Sequence, residues 1–256
     1  MIDAGGGTFL RFGETGAKLA DLSVVAISHL HPDHVADLPA LLWLSETVRT
    51  RPLTVVGPSG AAGAPFPSLT TFLRRLFDAD SGAYPVLAGT LGQRGQGARL
   101  NPVVIDASVG TTSAAHADSI LQVDAIGVPH GPVPSLGYRV RVGGRSIVFG
   151  ADQNGSDPGF KAFASGADLL VLHFALSATA GEPMVRLHAR PTTVGEMARD
   201  AKPKQLLLSH LIEVPAAAAN RDWGSLADLD RAMTEVRARY QGPVATATDL
   251  HCVVLP

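Results

Sequence analysis

The sequence is short of thiols, aromatic rings and net charge, and each shortage closes off a class of function. Cys252 is the only cysteine in 256 residues, so no intrachain disulfide can form and no thiolate cluster can hold a metal. Phe, Trp and Tyr together make up 5% of the chain. No apolar run reaches the roughly 18–20 residues of a membrane-spanning helix. Lys and Arg number 21 against 23 Asp and Glu, a net charge of −2, so the broadly basic surface of a nucleic-acid binder is missing. The first residues hold no basic stretch followed by an apolar one, so a signal peptide is not expected. Ile2-Asp3-Ala4-Gly5 reads as the end of a strand whose beginning lies outside the sequence. The expected location is cytoplasmic, or periplasmic if a leader precedes this start.

What is present suits a layered α/β domain. Hydrophobic residues make up 46% and charged residues 17%, enough for a large buried core. Apolar, β-branched runs predict strands over 22–28, 53–56, 102–105, 120–128, 137–142, 146–150, 167–172, 205–209 and 252–255. Helical spacing predicts helices over 36–48, 69–77, 160–165, 192–201 (with Thr192 or Thr193 as N-cap) and 225–240. Gly143-Gly144 marks a hairpin turn. Residues 78–97 are Gly-rich and weakly patterned, and read as an irregular excursion. Strands alternating with helices, with hairpins among them, point to one α/β domain spanning 1–256 with mixed sheets.

Nine histidines stand out against this background. The densest group is Ser28-His29-Leu30-His31-Pro32-Asp33-His34, directly after a buried strand. Alternate side chains at a strand end point the same way, so His29 and His31 can face one metal ion. The chain then turns at Pro32, which lets Asp33 and His34 reach a second. Such a set still needs distant ligands.

His29-x-His31-x-Asp33-His34 resembles the signature of the metallo-β-lactamase superfamily, and further stretches match in order along nearly the whole chain. Ile2-Asp3-Ala4-Gly5 resembles the strand and turn ahead of that signature. Val128-Pro129-His130 with Pro134-Ser135-Leu136-Gly137-Tyr138-Arg139 resembles the third-motif histidine of the ribonuclease Z and arylsulfatase-like branch. Phe149-Gly150-Ala151-Asp152 resembles the motif of the bridging aspartate, and Leu207-Leu208-Ser209-His210 that of the strand-end histidine. The resemblance implies an αββα sandwich of two mixed β-sheets flanked by helices, its first N-terminal strands lying outside the sequence. It also implies two divalent metal ions, zinc first, with manganese or iron accommodated by the same ligands. The first would take His29, His31 and His130, and the second Asp33, His34 and His210, with Asp152 bridging. His116 competes with His130 but lacks the Gly-Tyr-Arg continuation. His188, ahead of the 192–201 helix, matches a histidine near the leaving group or oxyanion. His173 falls where the ribonuclease Z pattern has His-Glu, but here Phe174 replaces the Glu. His251 has no motif around it.

The implied reaction is hydrolysis by a metal-activated hydroxide, with Asp33 orienting the nucleophile or taking its proton, and His188 serving the leaving group. In the resemblance, ribonuclease Z grips transfer RNA with an arm inserted between the third-motif histidine and the bridging aspartate. Here 21 residues separate His130 from Asp152. The expected substrate is therefore a small phosphodiester, sulfate or carboxylic ester, with nucleic acid not expected and a homodimer as the expected assembly. A ribonuclease Z-like RNA endonuclease is the alternative within the family. β-Lactam hydrolysis is a weaker option. An iron-dependent oxidoreductase acting on thiols is the competing class, and a non-catalytic nucleic-acid-processing scaffold would have lost ligands that this chain keeps.

Overall fold

The structure, a computed structural model, describes residues 1–45, 48–63, 65–93, 99–214 and 223–255. Its contacts divide the chain into two units, Met1–Asp106 and Ala107–Pro256.

The first unit runs α1 (Thr8–Glu14), β1 (Val24–Ala26), α2 (Pro32–Val35), α3 (Leu38–Ser45), β2 (Leu53–Pro58), α4 (Leu69–Phe77) and β3 (Leu100–Ile105). Its three strands pair in the order β1-β2-β3, all parallel, where the sequence suggests a mixed sheet. Helices lie between successive strands, and a crossover of that kind returns the chain in the same direction. Ser68 caps α4 by accepting from the Thr71 N–H, and the helix buries Leu69, Leu73 and Phe77 at intervals of four. These pack with Val25, Ile27, Leu38, Leu42 and Val55 into the core of this unit. The chain start is stitched to it: Asp3 N–H donates to Ala26 O, and Ala4 N–H to His34 O, each at 2.8 Å. Gly5 passes so close to the 33–34 peptide that a Cβ there would sit 1.9 Å from Asp33 O.

The second unit runs β4 (Thr112–Ala117), β5 (Leu121–His130), β6 (Val133–Val142), β7 (Arg145–Phe149), α5 (Pro158–Ala164), β8 (Leu169–His173), α6 (Pro191–Ala201), β9 (Gln205–Ser209), α7 (Leu229–Arg239) and β10 (Val244–Thr246). Its sheet has the order β10-β9-β8-β7-β6-β5-β4. β4 to β7 are an antiparallel meander, and β7 to β10 are parallel, so this sheet is mixed as expected. Gly143 and Gly144 both take positive φ (55° and 77°) and close the β6–β7 hairpin. β8 lies between parallel neighbours and buries Leu169 to Leu172 without alternation.

Some boundaries differ from the sequence reading. α6 begins at Pro191 with Arg190 as N-cap, not Thr192 or Thr193, because proline at the first helical position lacks only an N–H that has no intrahelical partner anyway. Residues 225–240 divide into a 3-10 turn, Ser225–Asp228, and α7. The last strand is Val244–Thr246 against β9. Residues 252–255 form none, and Val254 is 82% exposed. α1 and β4 were not foreseen: α1 buries no residue, and β4 (TSAAHA) has almost no apolar alternation. The 78–97 excursion holds a 3-10 segment, Pro85–Leu91, while residues 94–97 lie outside the described residues.

Candidate metal centre

Each unit carries its own cluster of imidazoles and carboxylates. In the first, β1 ends and the chain enters the 28–34 loop, which closes as the short helix α2 with Pro32 at its first position. Asp3, at a left-handed φ of 57°, turns its carboxylate onto this loop. It accepts from Ser28 N–H at 2.6 Å, Ser28 O–H at 2.8 Å and His34 Nδ1 at 2.8 Å. Because a carboxylate only accepts, His34 carries its proton on Nδ1 and keeps the Nε2 lone pair for another partner. Ser28 Oγ also lies 3.1 Å from His29 Nδ1. His29 Nε2 and His31 Nδ1 are 3.0 Å apart, a spacing that suits two ligands of one cation. His29 and His34 are buried, whereas the Asp33 side chain is 60% exposed, with Oδ2 3.6 Å from His34 Nε2.

In the second unit the strand directions build the site. β5 is antiparallel to β6, and β6 to β7, so β5 runs the same way as β7, β8 and β9. The carboxyl ends of all four therefore lie along one edge of the sheet, the usual place for a site in a parallel arrangement. His130 ends β5, Asp152 follows β7, His173 ends β8 and His210 follows β9. Ala151 and His210 both take left-handed φ (55° and 56°), bending the chain sharply as it leaves the sheet.

Asp152 is the centre of this cluster, its side chain 2% exposed. Oδ1 accepts a hydrogen bond from His173 Nδ1 and lies 3.7 Å from His210 Nε2. Oδ2 lies 3.8 Å from His130 Nε2 and 3.7 Å from His188 Nδ1. His130 Nδ1 donates to Leu187 O at 2.8 Å, which turns its Nε2 toward the carboxylate. Burial pushes the His188 imidazole down to about 4; Asp152 pulls the other way, and the neighbouring histidines add to the fall.

A buried carboxylate ringed by four imidazoles is costly unless something neutralises and ligates it. Two donors each about 2.1 Å from a common ion lie at most about 4.2 Å apart, and the 3.7–3.8 Å spacings fall inside that limit. The donors His130, Asp152 and His188 form one such group, and Asp152, His173 and His210 stand together in another. The residues present thus fit a divalent metal ion.

The expected site residues fall into two sets, His29, His31, Asp33 and His34 in the first unit and His130, Asp152, His188 and His210 in the second. Each set is gathered within its unit. His116 is apart from both, pairing with Asp118 on the edge strand β4. His251 is exposed and in no strand or helix. Sequence reasoning missed two residues that the structure adds. Asp3 lay in a quoted motif without a task. His173 ends a fully apolar strand just as Ser209-His210 follows one, and that parallel was its signal.

The model of a family described as "Beta-lactamase superfamily domain" matches residues 1–211. A ribonuclease Z of Mycolicibacterium paratuberculosis is 27% identical over 268 residues, covering 99% of this chain and 86% of its own. Among solved structures, human tRNase Z, short form, superposes with a TM-score of 0.69 at 21% identity, covering 100% of this chain and 87% of its own. The metallo-β-lactamase fold protein YhfI from Bacillus subtilis gives 0.66 at 19%, covering 97% and 83%. These two likenesses show the fold. The expectation that nucleic acid is not a partner is overturned by the ribonuclease Z relatives. It rested on the short stretch between His130 and Asp152 and on the net charge of −2, and neither keeps the chain from matching ribonuclease Z along 99% of its length. Among the described residues no helix is long and apolar enough to cross a membrane. With a family model matched over most of its length and the fold shared, the chain belongs to the metallo-β-lactamase superfamily of metal-dependent hydrolases.

Proposed function

We propose that this protein hydrolyses phosphodiester bonds in RNA, as a ribonuclease Z-like endonuclease, with divalent metal ions that His29, His31, Asp33 and His34 of the first unit and His130, Asp152 and His210 of the second would hold. The observation that carries the reading is the near end-to-end match to ribonuclease Z in a chain whose buried Asp152 is ringed by imidazoles. The ions would supply Lewis-acid activation of water and neutralisation of charge on the phosphate.

The chain's own residues account for the rest. Asp33 is the exposed carboxylate of its loop, able to orient an attacking water and accept its proton. His188 is neutral near pH 7, because its pKa is held at about 4. Carrying its single proton on Nε2, the neutral ring would offer an N–H to the leaving oxygen. Asp3 and Leu187 O set the tautomers of His34 and His130, so each ring keeps an Nε2 lone pair that could hold an ion. Of the small esters expected from the sequence, only phosphodiesters present the same reacting group.

The test is cleavage of a labelled transfer RNA precursor, an unstructured RNA and bis(p-nitrophenyl) phosphate, each with zinc or manganese. Metal-dependent RNA cleavage that disappears in Asp152→Asn is expected. Hydrolysis of sulfate or carboxylic esters with no RNA cleavage would overturn the RNA assignment. Oxygen uptake with a thiol would move the chain to the redox class.

A further inference from the structure

His173 is the fourth imidazole at Asp152, and neither the sequence motifs nor the family resemblance gives it a task. It ends β8 with its side chain 15% exposed, while the next residue, Phe174, is fully buried in the core. Phe174 stands where the resemblance has a glutamate, so this strand end contributes an imidazole without its acidic neighbour. The backbone there is fixed: His173 is in register with Ser209 on β9, and Phe174 N–H donates to Ser209 O at 2.7 Å.

We propose that His173 is a positioning residue that holds the Asp152 carboxylate, by donating its Nδ1–H to Oδ1, in the orientation in which it would hold a metal ion. Three observations support it. His130, His188 and His210 stand 3.7–3.8 Å from the carboxylate oxygens, beyond hydrogen-bond range, whereas His173 Nδ1 is bonded to Oδ1. The terminal torsion of an aspartate is broad and soft, so a ligating carboxylate needs an external restraint. The His173 ring also stacks on that of His210, with centroids 5.0 Å apart and planes 25° apart, so one side chain steadies two expected ligands. A donor behind a ligating group typically accounts for about 10–100-fold in metal affinity.

The inference rests on the metal-dependent reading above, and the experiment separates the two. Zinc affinity of the full chain is measured by competition with a chromophoric chelator, and stoichiometry by elemental analysis. H173F keeps a flat ring but removes the donor; H173N restores an N–H near the position of Nδ1. The expected result is zinc binding about 10–100-fold weaker in H173F at unchanged stoichiometry, most of it recovered in H173N. The visible spectrum of the cobalt-loaded H173F protein is expected to shift. Affinity within twofold of wild type in H173F overturns the proposal, and so does outright loss of one ion, which would make His173 a ligand. Should H173F fail to fold, H173N against H173A in the same assay decides. A wild-type chain that binds no zinc, manganese or iron would instead defeat the metal-dependent reading.

Discussion

His130 donates its Nδ1 hydrogen to the carbonyl oxygen of Leu187, 2.8 Å away and 57 residues further along the chain. A carbonyl can only accept, so this contact alone assigns the tautomer of His130 and aims its Nε2 at Asp152. The next residue, Gly131, has a φ of 57°, and a Cβ on it would lie 2.8 Å from Leu187 Cδ2. Gly131→Ala is therefore expected to destabilise the fold by about 1–2 kcal/mol from the left-handed backbone. It should also weaken metal binding, by displacing the segment that orients His130. Thermal denaturation with and without chelator checks both. An unchanged metal affinity would mean that Leu187 O does not set the ring.

Asp3 plays the corresponding part for His34. Removing it in Asp3→Ala leaves the Ser28 N–H and the His34 Nδ1–H without their acceptor in a buried setting. That is expected to cost about 1–3 kcal/mol in the metal-free protein. Metal affinity is expected to fall by roughly 10–100-fold. Urea midpoints and chelator competition measure the two separately, and a variant that matches wild type in both would show that Ser28 and His34 find other acceptors.

Lys202 ends α6 with a φ of 52° and is exposed. Glycine adopts that conformation without the penalty of a Cβ, although it has more freedom to lose on folding. Lys202→Gly should raise stability by roughly 0.5–1 kcal/mol. It sits before β9, at the end of the strand away from His210, so catalytic constants should not change. A fall in melting temperature would contradict the assignment of strain at this cap.

At the edge of the sheet away from Asp152, Asp168 accepts from Lys204 Nζ at 2.8 Å and Ser146 N–H at 2.8 Å. The Lys204 hydrogen bond, with those of Ser146 and Arg145, holds its carboxyl at about 2, below its ordinary 3.8. A lowered folded-state pKa means the charged form is the one that the fold stabilises. Its contribution is fully present above pH ~4 and disappears as pH falls through about 2. The stability difference between wild type and Asp168→Asn should thus be constant from pH 5 to 4 and shrink below that. Urea unfolding of metal-free protein across pH 2–5 tests the sign. A gap that widens toward low pH would be incompatible with it.

The donor loop of the first unit was legible because it is contiguous: His29, His31, Asp33 and His34 lie within six residues of a recognisable strand. The strands around Asp152 were legible too, through β-branched runs ending in Gly-Ala-Asp and Ser-His. β4 was not, because an edge strand with one polar face and small residues has little hydrophobic alternation to read. Arg190 as the α6 cap was hidden because threonine is the stronger local signal, and proline overrides it only by fixing its own φ.

Without the motifs that carry the family resemblance, His116, His130, His173, His188, His210 and His251 are alike as isolated letters in the sequence. Which of them meet at Asp152 depends on strand direction and register, and these are set by pairing between residues far apart in the chain. β5, β7, β8 and β9 run the same way, so their ends share one edge and His130, His173 and His210 come together there, with the 184–188 segment bringing His188. His116 sits on β4, antiparallel to β5, and is left out. The sequence alone determined the chemistry of the donors and the local loop that holds half of them. The tertiary structure gathered the other half, which the motifs had only named, and added His173 to it, because convergence of strand ends is a property of the assembled sheet.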